Sequence, residues 1–273
     1  MTESSAPVSA PELSVVVPVH NEAESIGPLL DEVRRVLVGI VRFEIVVVDD
    51  DSADDTLACL DACGASMSEL RIIHHGRNAG QSTALHTGVR FARAPLVATL
   101  DGDGQNDPAD IPALLARYRE AARGQWLLIV GHRTTRRDAF MTRASSRIAN
   151  AVRRLFLRDH TLDTGCGLKL FARDLFLALP YFDHMHRFLP ALVLRAGGRV
   201  LSVPVSHHPR TRGQSHYGIH DRLWTGIVDM LGMAWLMRRA RLPDAVEHTV
   251  REITSRPSRP LDQEDQQRTS KRE

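Results

Sequence analysis

Apolar residues along this chain fall into two alternating patterns. Short runs at Leu13–Val19, Phe43–Val48, Arg71–His74, Leu96–Leu100 and Trp126–Val130 read as strands. Several are continuously apolar rather than alternating, as expected of strands buried on both faces. Between them lie segments with helical spacing. Over Glu22–Val38 the apolar positions Ile26, Leu29, Leu30, Val33, Val36 and Leu37 form one stripe. Asp54–Cys63, Gly80–Ala92 and Pro108–Ala121 also read as helices, with Pro108 suited to a first turn. Such alternation predicts an α/β fold with a mostly parallel sheet flanked by helices. The second half is less regular. It predicts a helix near Met141–Leu157, another near Phe188–Ala196, a strand at Arg199–Val203 and a last helix near Asp221–Arg239.

Both ends differ from this pattern. Residues 1–12 are rich in Ser, Pro and Ala, and residues 255–273 are polar and charged, so both are expected to be disordered. The predicted organisation is a catalytic domain over 13–218, an amphipathic and membrane-interfacial or core-packed helix over 219–242, and a mostly disordered tail over 243–273. The most apolar stretch, Leu223–Met237, is interrupted by Asp229 and two glycines. It falls short of the roughly 20 residues that cross a bilayer. The first residues lack a basic segment followed by an apolar one, so no signal peptide is expected. Three cysteines, Cys59, Cys63 and Cys166, form no paired framework and suggest a reducing compartment. A net charge of +2 points to no particular partner.

The candidate chemistry sits where apolar runs end. Pro18–Glu22, Asp49–Thr56, Arg77–Gly80 and Asp101–Gln105 are polar or acidic segments at the carboxyl ends of predicted strands. In a parallel sheet those ends share one edge, where ligands bind. Asp101 and Asp103, one residue apart with the Gln105 amide beyond, suit a hard cation such as Mg2+ or Mn2+ whose shell is completed by phosphates. Asp-Gly pairs also favour turns, which is the plainer reading of the same segment. Clustered carboxylates repel unless a cation or hydrogen-bond donors compensate, which favours function for Asp50, Asp101 and Asp103. Ser52 and Asp54 read as helix caps.

Together, Pro18-Val19-His20-Asn21-Glu22, Asp49 through Thr56, Asn78-Ala79-Gly80 and Asp101-Gly102-Asp103-Gly104-Gln105 resemble family 2 glycosyltransferases with the GT-A fold, which is Rossmann-like. Each motif is weak alone; four in order are strong. Within that family the chain looks most like the polyprenyl-phosphate glycosyltransferases, the group containing dolichol-phosphate mannosyltransferase. The resemblance spans roughly residues 12–240. It implies a nucleotide site at Pro18, Glu22, Asp50 and Asp101, and a metal-diphosphate site at Asp101, Asp103 and Gln105. The family usually has Gly where Asp51 and Asp55 stand.

In the second half, eight arginines lie between Arg133 and Arg158 with Asp138 as the single acid among them. Guanidinium forks suit phosphate, and a basic surface is also drawn to an anionic leaflet. Arg133, and Arg143 with Ser146, resemble the family's phosphate-binding residues. Asp163 through Leu170 resembles its acceptor-side segment, and His208 through Tyr217 its Gly/Ser loop, giving Arg210, Arg212 and Ser215 as phosphate contacts. The family often has Lys where His216 stands. Cys166 reads as a small buried residue.

The resemblance implies inverting transfer of a sugar from a UDP- or GDP-linked donor to a polyprenyl phosphate, with Mg2+ or Mn2+. Asp101, Asp103, Asp163 and Arg133 would be catalytic, Asp163 as base or as acceptor-orienting group. It also implies a cytoplasmic protein, peripheral at the inner face of the membrane, with no nucleic-acid partner and with self-association open. Two other readings stand beside it: a soluble enzyme of the same fold with a hydroxyl acceptor, and a non-catalytic nucleotide-sugar binder.

Overall fold

A computed structural model describes residues 10–122, 124–133, 161–208 and 219–239, with only the backbone at 219–225 and 227. The first half alternates strand and helix: β1 (Leu13–Val19), α1 (Ala23–Leu37), β2 (Phe43–Asp49), α2 (Thr56–Gly64), β3 (Leu70–His74), α3 (Gln81–Phe91) and β4 (Leu96–Thr99). A 3-10 turn at Pro108–Asp110 leads into α4 (Ile111–Ala121) and β5 (Leu127–Arg133). Then come β6 (Lys169–Ala172), α5 (Arg173–Ala178), a 3-10 turn at Met185–Arg187, α6 (Leu189–Arg195), β7 (Arg199–Val205) and α7 (Ile219–Arg238). The predicted helix at Met141–Leu157 lies outside the described residues, as do the arginines between 134 and 160.

The described strands form one sheet in the order β3-β2-β1-β4-β6-β5-β7. β6 runs antiparallel to both β4 and β5; the other pairings are parallel. Alternation along β1 explains why its sequence is apolar throughout. Leu13, Val15, Val17 and Val19 join the cluster under α1 and α4, whereas Val16 joins the cluster under α3 and α6. A strand covered on both faces needs apolar side chains at every position. Ser14 is the exception, and it is paired: its hydroxyl donates to Glu44 at 2.6 Å, and Glu44 also accepts from Arg71 at 2.8 Å.

Helix α3 reaches the sheet through Gly88. A Cβ there would lie 2.4 Å from Val16 Cγ1 and 3.1 Å from Val48 Cγ2. Gly88→Ala gains about 1 kcal/mol of helix propensity. Overpacking costs about 1–3 kcal/mol, and so short an approach belongs at the upper end. The variant is therefore expected to unfold at lower denaturant with an unchanged m-value. An unchanged midpoint would mean that α3 reseats freely.

Helix α7 is packed on one side and exposed on the other. Met233 and Ala234 are buried in the cluster shared with α6, and Arg195 Nε donates to the Leu236 carbonyl at 3.1 Å. Asp229 lies 3.0 Å from His184 Nδ1. Val228, Leu231 and Trp235 face outward, each more than half exposed. Among the described residues no helix is long and apolar enough to cross a membrane.

Candidate active site

Strands β1, β2, β3 and β4 are parallel, so their carboxyl ends share one edge of the sheet. β5 and β7 end at the same edge, and antiparallel β6 begins there. The edge therefore collects residues 20–22, 49–52, 75–80, 101–106, 133, 163–169 and 205–208. A cavity of about 320 Å3 opens among them, lined by Pro18, Gln81, Asp101, Lys169, His186 and Arg187 with several neighbours.

On the β2 side, Asp50 is buried and accepts from the backbone N–H groups of Ala79 and Gly80 at 3.0 and 2.7 Å. Its carboxylate also meets His75 Nδ1 at 2.6 Å. Asp50 thus fastens the loop after β3 to the end of β2. Asp49, fully buried, accepts from Ser52 and pairs with His74 at 2.9 Å. Asp51 has φ +60°, a left-handed conformation that glycine adopts freely and aspartate tolerates. That geometry accounts for a position where glycine is usual, and Asp51 uses its carboxylate to accept from Asn78 N–H at 3.2 Å.

Asp54 is a cap for two helices. It accepts from Thr56 N–H at 3.0 Å, opening α2, and from Ala23 N–H at 3.2 Å, opening α1. Helix α2 accordingly starts at Thr56, two residues after the predicted start. Ser52 instead bridges loops, its hydroxyl accepting from Asn21 N–H at 2.9 Å while donating to Asp49. Glu22 accepts from Ser25, whose hydroxyl also contacts the Gly102 carbonyl at 2.9 Å, tying the β1 end to the β4 end.

Asp101 stands at the end of β4 with Gln81 Nε2 donating to it at 2.9 Å. Gly167 permits this position: a Cβ there would fall 2.2 Å from Asp101 Oδ2 and 2.6 Å from Asn106 Oδ1. Burial, then the charge of Asp103, pushes the Asp101 carboxyl from its ordinary 3.8 up to about 6, against the pull of Lys169, Arg133 and Gln81. Asp103 accepts from Gln105 N–H at 3.1 Å and turns the loop back toward β7. There the Gln105 carbonyl accepts from His208 N–H at 3.0 Å, and Asn106 bridges to His207. His207 Nδ1 is buried without a hydrogen-bond partner among the described residues.

Two acids that repel, one held partly protonated, and an orphaned imidazole nitrogen beside them fit a divalent cation. Among the described residues no three His, Cys, Asp or Glu side chains form a ready cage. A site with few protein ligands is one that phosphate oxygens complete. The protonation of Asp101 also has a stability signature. Between pH 4 and 6 the folded state holds a proton the unfolded chain has lost. The stability this confers is present below pH 4 and lost as pH rises through 6. Denaturant midpoints in chelator should show the difference between the native chain and Asp101→Asn falling across that window. Parallel curves would overturn the assignment.

Arg133 and Asp163, expected as a phosphate contact and an acceptor-side group, are joined to each other. Nε donates to Oδ2 at 2.6 Å and Nη2 to Oδ1 at 2.9 Å, and both side chains are largely buried. Pro18 lines the cavity as expected. Arg143, Ser146, Arg210, Arg212, Ser215 and His216 lie outside the described residues. Cys166 is buried, which pushes its thiol pKa up and makes it a packing residue.

Four residues at this edge carry no individual role in the sequence analysis. Lys169 is buried with its ammonium donating to the Cys166 carbonyl, and burial lowers its pKa while Asp101 opposes. His186 is pushed down to about 3 by burial, Lys169 and Arg187, so its ring is neutral. Gln81 holds Asp101, and His207 borders Asp103. The segment from Asp163 to Leu170 contains Lys169, and Gln81 directly follows Asn78-Ala79-Gly80, so those two had a signal in sequence. His186 had a signal too, in the segment His186-Arg187-Phe188-Leu189-Pro190 that resembles the family pattern, whereas His207 becomes visible only in three dimensions.

Comparison with known proteins gives a consistent picture. The glycosyl transferase family 2 profile matches residues 14–179. Dodecaprenyl-phosphate galacturonate synthase of Rhizobium johnstonii is 38% identical over 87% of this chain and 70% of its own length. Undecaprenyl-phosphate 4-deoxy-4-formamido-L-arabinose transferase of Sodalis glossinidius is 31% identical over 78% of this chain and 65% of its own. Among solved structures, glucosyl-3-phosphoglycerate synthase of Mycobacterium tuberculosis, in complex with Mg2+ and uridine diphosphate, superposes with a TM-score of 0.62. It covers 86% of this chain and 81% of its own at 21% identity, a likeness of fold.

Proposed function

Since the chain belongs to glycosyl transferase family 2 and is a glycosyltransferase, we propose that it transfers a sugar from a nucleotide-diphosphate donor to a polyprenyl phosphate. The observation that carries this reading is the pairing of Asp101 with Asp103 at the cavity, with the Asp101 carboxyl raised to about 6. A cation against such a pair offsets the burial and repulsion that disfavour its charged form, and a nucleotide diphosphate brings the oxygens that complete the cation's shell. The relatives named for dodecaprenyl and undecaprenyl phosphate supply the acceptor class.

Asp101, Asp103 and Gln105 would hold Mg2+ or Mn2+, with His207 as a further donor. When bound, the cation serves as a Lewis acid for the departing diphosphate. Pro18, Glu22 and Asp50 belong to the nucleotide side, where Asp50 acts by holding the loop at 78–80. An acceptor phosphate oxygen attacks the anomeric carbon as the bond to the donor diphosphate breaks, inverting the configuration. A phosphate monoester is already largely dianionic at pH 7, so no proton need be removed from it. Asp163 is engaged with Arg133 and orients the acceptor side rather than abstracting a proton. Arg143, Ser146, Arg210, Arg212 and Ser215 complete the phosphate contacts in this reading.

In this reading residues 13–218 would be the catalytic domain and 219–242 an interfacial segment. Val228, Leu231 and Trp235 present an exposed apolar face, and Arg239 lies 5.6 Å over the Trp235 ring. An apolar stripe with basic residues at its end suits a leaflet surface, so the protein acts peripherally at the inner face of the membrane.

The test is nucleotide release. Purified protein receives UDP- and GDP-sugars with Mg2+ or Mn2+, with and without a short-chain polyprenyl phosphate. Release that requires both cation and lipid phosphate, with a glycolipid product, supports the reading. Release driven by a water-soluble hydroxyl acceptor, or donor binding without release, overturns it.

A further inference from the structure

The reading above places Asp50 on the nucleotide side, and one imidazole ring sets where Asp50 stands. We propose that His75 is a positioning residue for the donor. It locks the Asp50 carboxylate and helix α3 in one register, so that the loop at 78–80 and Gln81 meet the two ends of the nucleotide diphosphate together. This rests on the chain acting on a nucleotide sugar.

Three observations support it. First, His75 is held by both its backbone and its ring. Its N–H donates to the Asp49 carbonyl at 2.9 Å, carrying the pairing of β2 with β3 one step past the strand. Its ring is largely buried and spans from the end of β2 to α3. Nδ1 lies 2.6 Å from Asp50 Oδ1, and Nε2 lies 3.0 Å from the Thr87 hydroxyl. A carboxylate only accepts, so Nδ1 carries a proton and donates it. A hydroxyl both donates and accepts, so Thr87 partners Nε2 whichever way the ring is protonated.

Second, Asp50 passes this anchorage on to the start of α3. Oδ1 also accepts from Ala79 N–H, and Oδ2 accepts from Gly80 N–H. Gly80 is the N-cap residue of α3 and makes no side-chain cap. The Asp50 carboxylate stands at that positive end instead. His75 therefore grips α3 twice, at its first turn through Asp50 and about two turns further on at Thr87. Third, α3 reaches the other half of the site. Its first residue, Gln81, lines the cavity and donates to Asp101 at 2.9 Å. A slide of α3 would move Gly80 and Gln81 together, and the nucleotide and diphosphate ends of the site would lose their alignment. His75 is not among the residues that line the cavity, so it acts through Asp50 and α3 and not on the substrate.

The experiment uses the full chain with Mn2+. Calorimetry reads the binding of UDP and GDP, steady-state kinetics read transfer from the nucleotide sugars that the native chain accepts, and urea midpoints read stability. His75→Phe keeps a ring and removes both nitrogens. It is expected to weaken nucleotide binding and raise the donor KM by roughly tenfold to a hundredfold, the worth of a hydrogen bond to a charged group. The kcat and the KM for polyprenyl phosphate should hold, the pattern of lost uniform binding. His75→Asn puts an amide donor where Nδ1 stands and should restore most of the affinity. Thr87→Val leaves Asp50 and its three donors in place and should weaken nucleotide binding by roughly twofold to tenfold. Native nucleotide affinity in His75→Phe would overturn the proposal and leave His75 as a ring that only stabilises the fold. If His75→Phe does not fold, Thr87→Val decides, and native affinity there overturns the proposal in the same way. Equal losses in His75→Phe and His75→Asn would also overturn it, because the donor to Asp50 would then not be what matters. Failure of the native chain to bind either nucleotide would instead remove the glycosyltransfer reading, and this proposal with it.

Discussion

Asp103→Ala should abolish cation-dependent transfer, lowering kcat/KM by on the order of a thousandfold or more, the value of several kcal/mol of charge stabilisation at the diphosphate. The fold should survive, because Asp103 is part-exposed in a loop and its hydrogen bond to Gln105 N–H stays within that loop. Asp101→Asn should also lose activity, but with a different accompaniment. Asp101 is closely surrounded by protein, and its charge is opposed by Lys169, so the neutral amide removes the acid repulsion and strands the ammonium. The two variants are distinguished by titrating Mn2+ with UDP present. Asp103→Ala should show weaker cation binding with the nucleotide still able to dock against the β2 side. Full activity of Asp103→Ala would leave the carboxylates as turn residues and remove them from the site.

How much of this was legible in the sequence depends on how far each signal reaches along the chain. The first half was readable because its elements are local. The run Leu13–Val19 predicts its own strand to the residue, and the stripe from Ile26 to Leu37 predicts the helix behind it. The parallel order then follows from alternation alone, and with it the shared edge that gathers Asp50, Asp101 and Asp103. Reading failed where the chain breaks its own rule. Strand β6 is four residues long, starts with a lysine and runs antiparallel between β4 and β5, so neither length nor periodicity marks it. Yet β6 and the turn that leads into it bring Lys169 and Gly167 to Asp101. The same limit applied to pairings. Arg133 and Asp163 were each visible as chemical groups, but no spacing indicates that two residues thirty positions apart close on each other. Asp51 shows the reverse case. In sequence it is only a departure from the family's usual glycine, and its positive φ explains it as a backbone requirement met by an aspartate.

That closed pair sets the last expectation. Asp163→Ala leaves the Arg133 guanidinium largely buried without a counter-ion, and the loss of one partner from such a pair costs about 3–5 kcal/mol of stability. Arg133→Leu should cost a similar amount, since it strands the carboxylate. The double variant Arg133→Leu/Asp163→Leu should recover much of the loss, because two apolar groups of comparable size need no compensation. Urea midpoints of the four proteins give the coupling directly. Catalysis separates the two roles open to Asp163. If it positions Arg133 and the acceptor side, Asp163→Asn keeps the amide within reach of the guanidinium. It then lowers kcat moderately while the pH–rate profile keeps its shape. If it abstracts a proton, the acidic limb of that profile disappears with the carboxylate. The bidentate geometry, 2.6 and 2.9 Å with both acceptor oxygens occupied, sets the expectation: the limb persists. A lost limb together with additive stability changes would reverse both halves of the assignment, making Asp163 a base and Arg133 a free phosphate ligand.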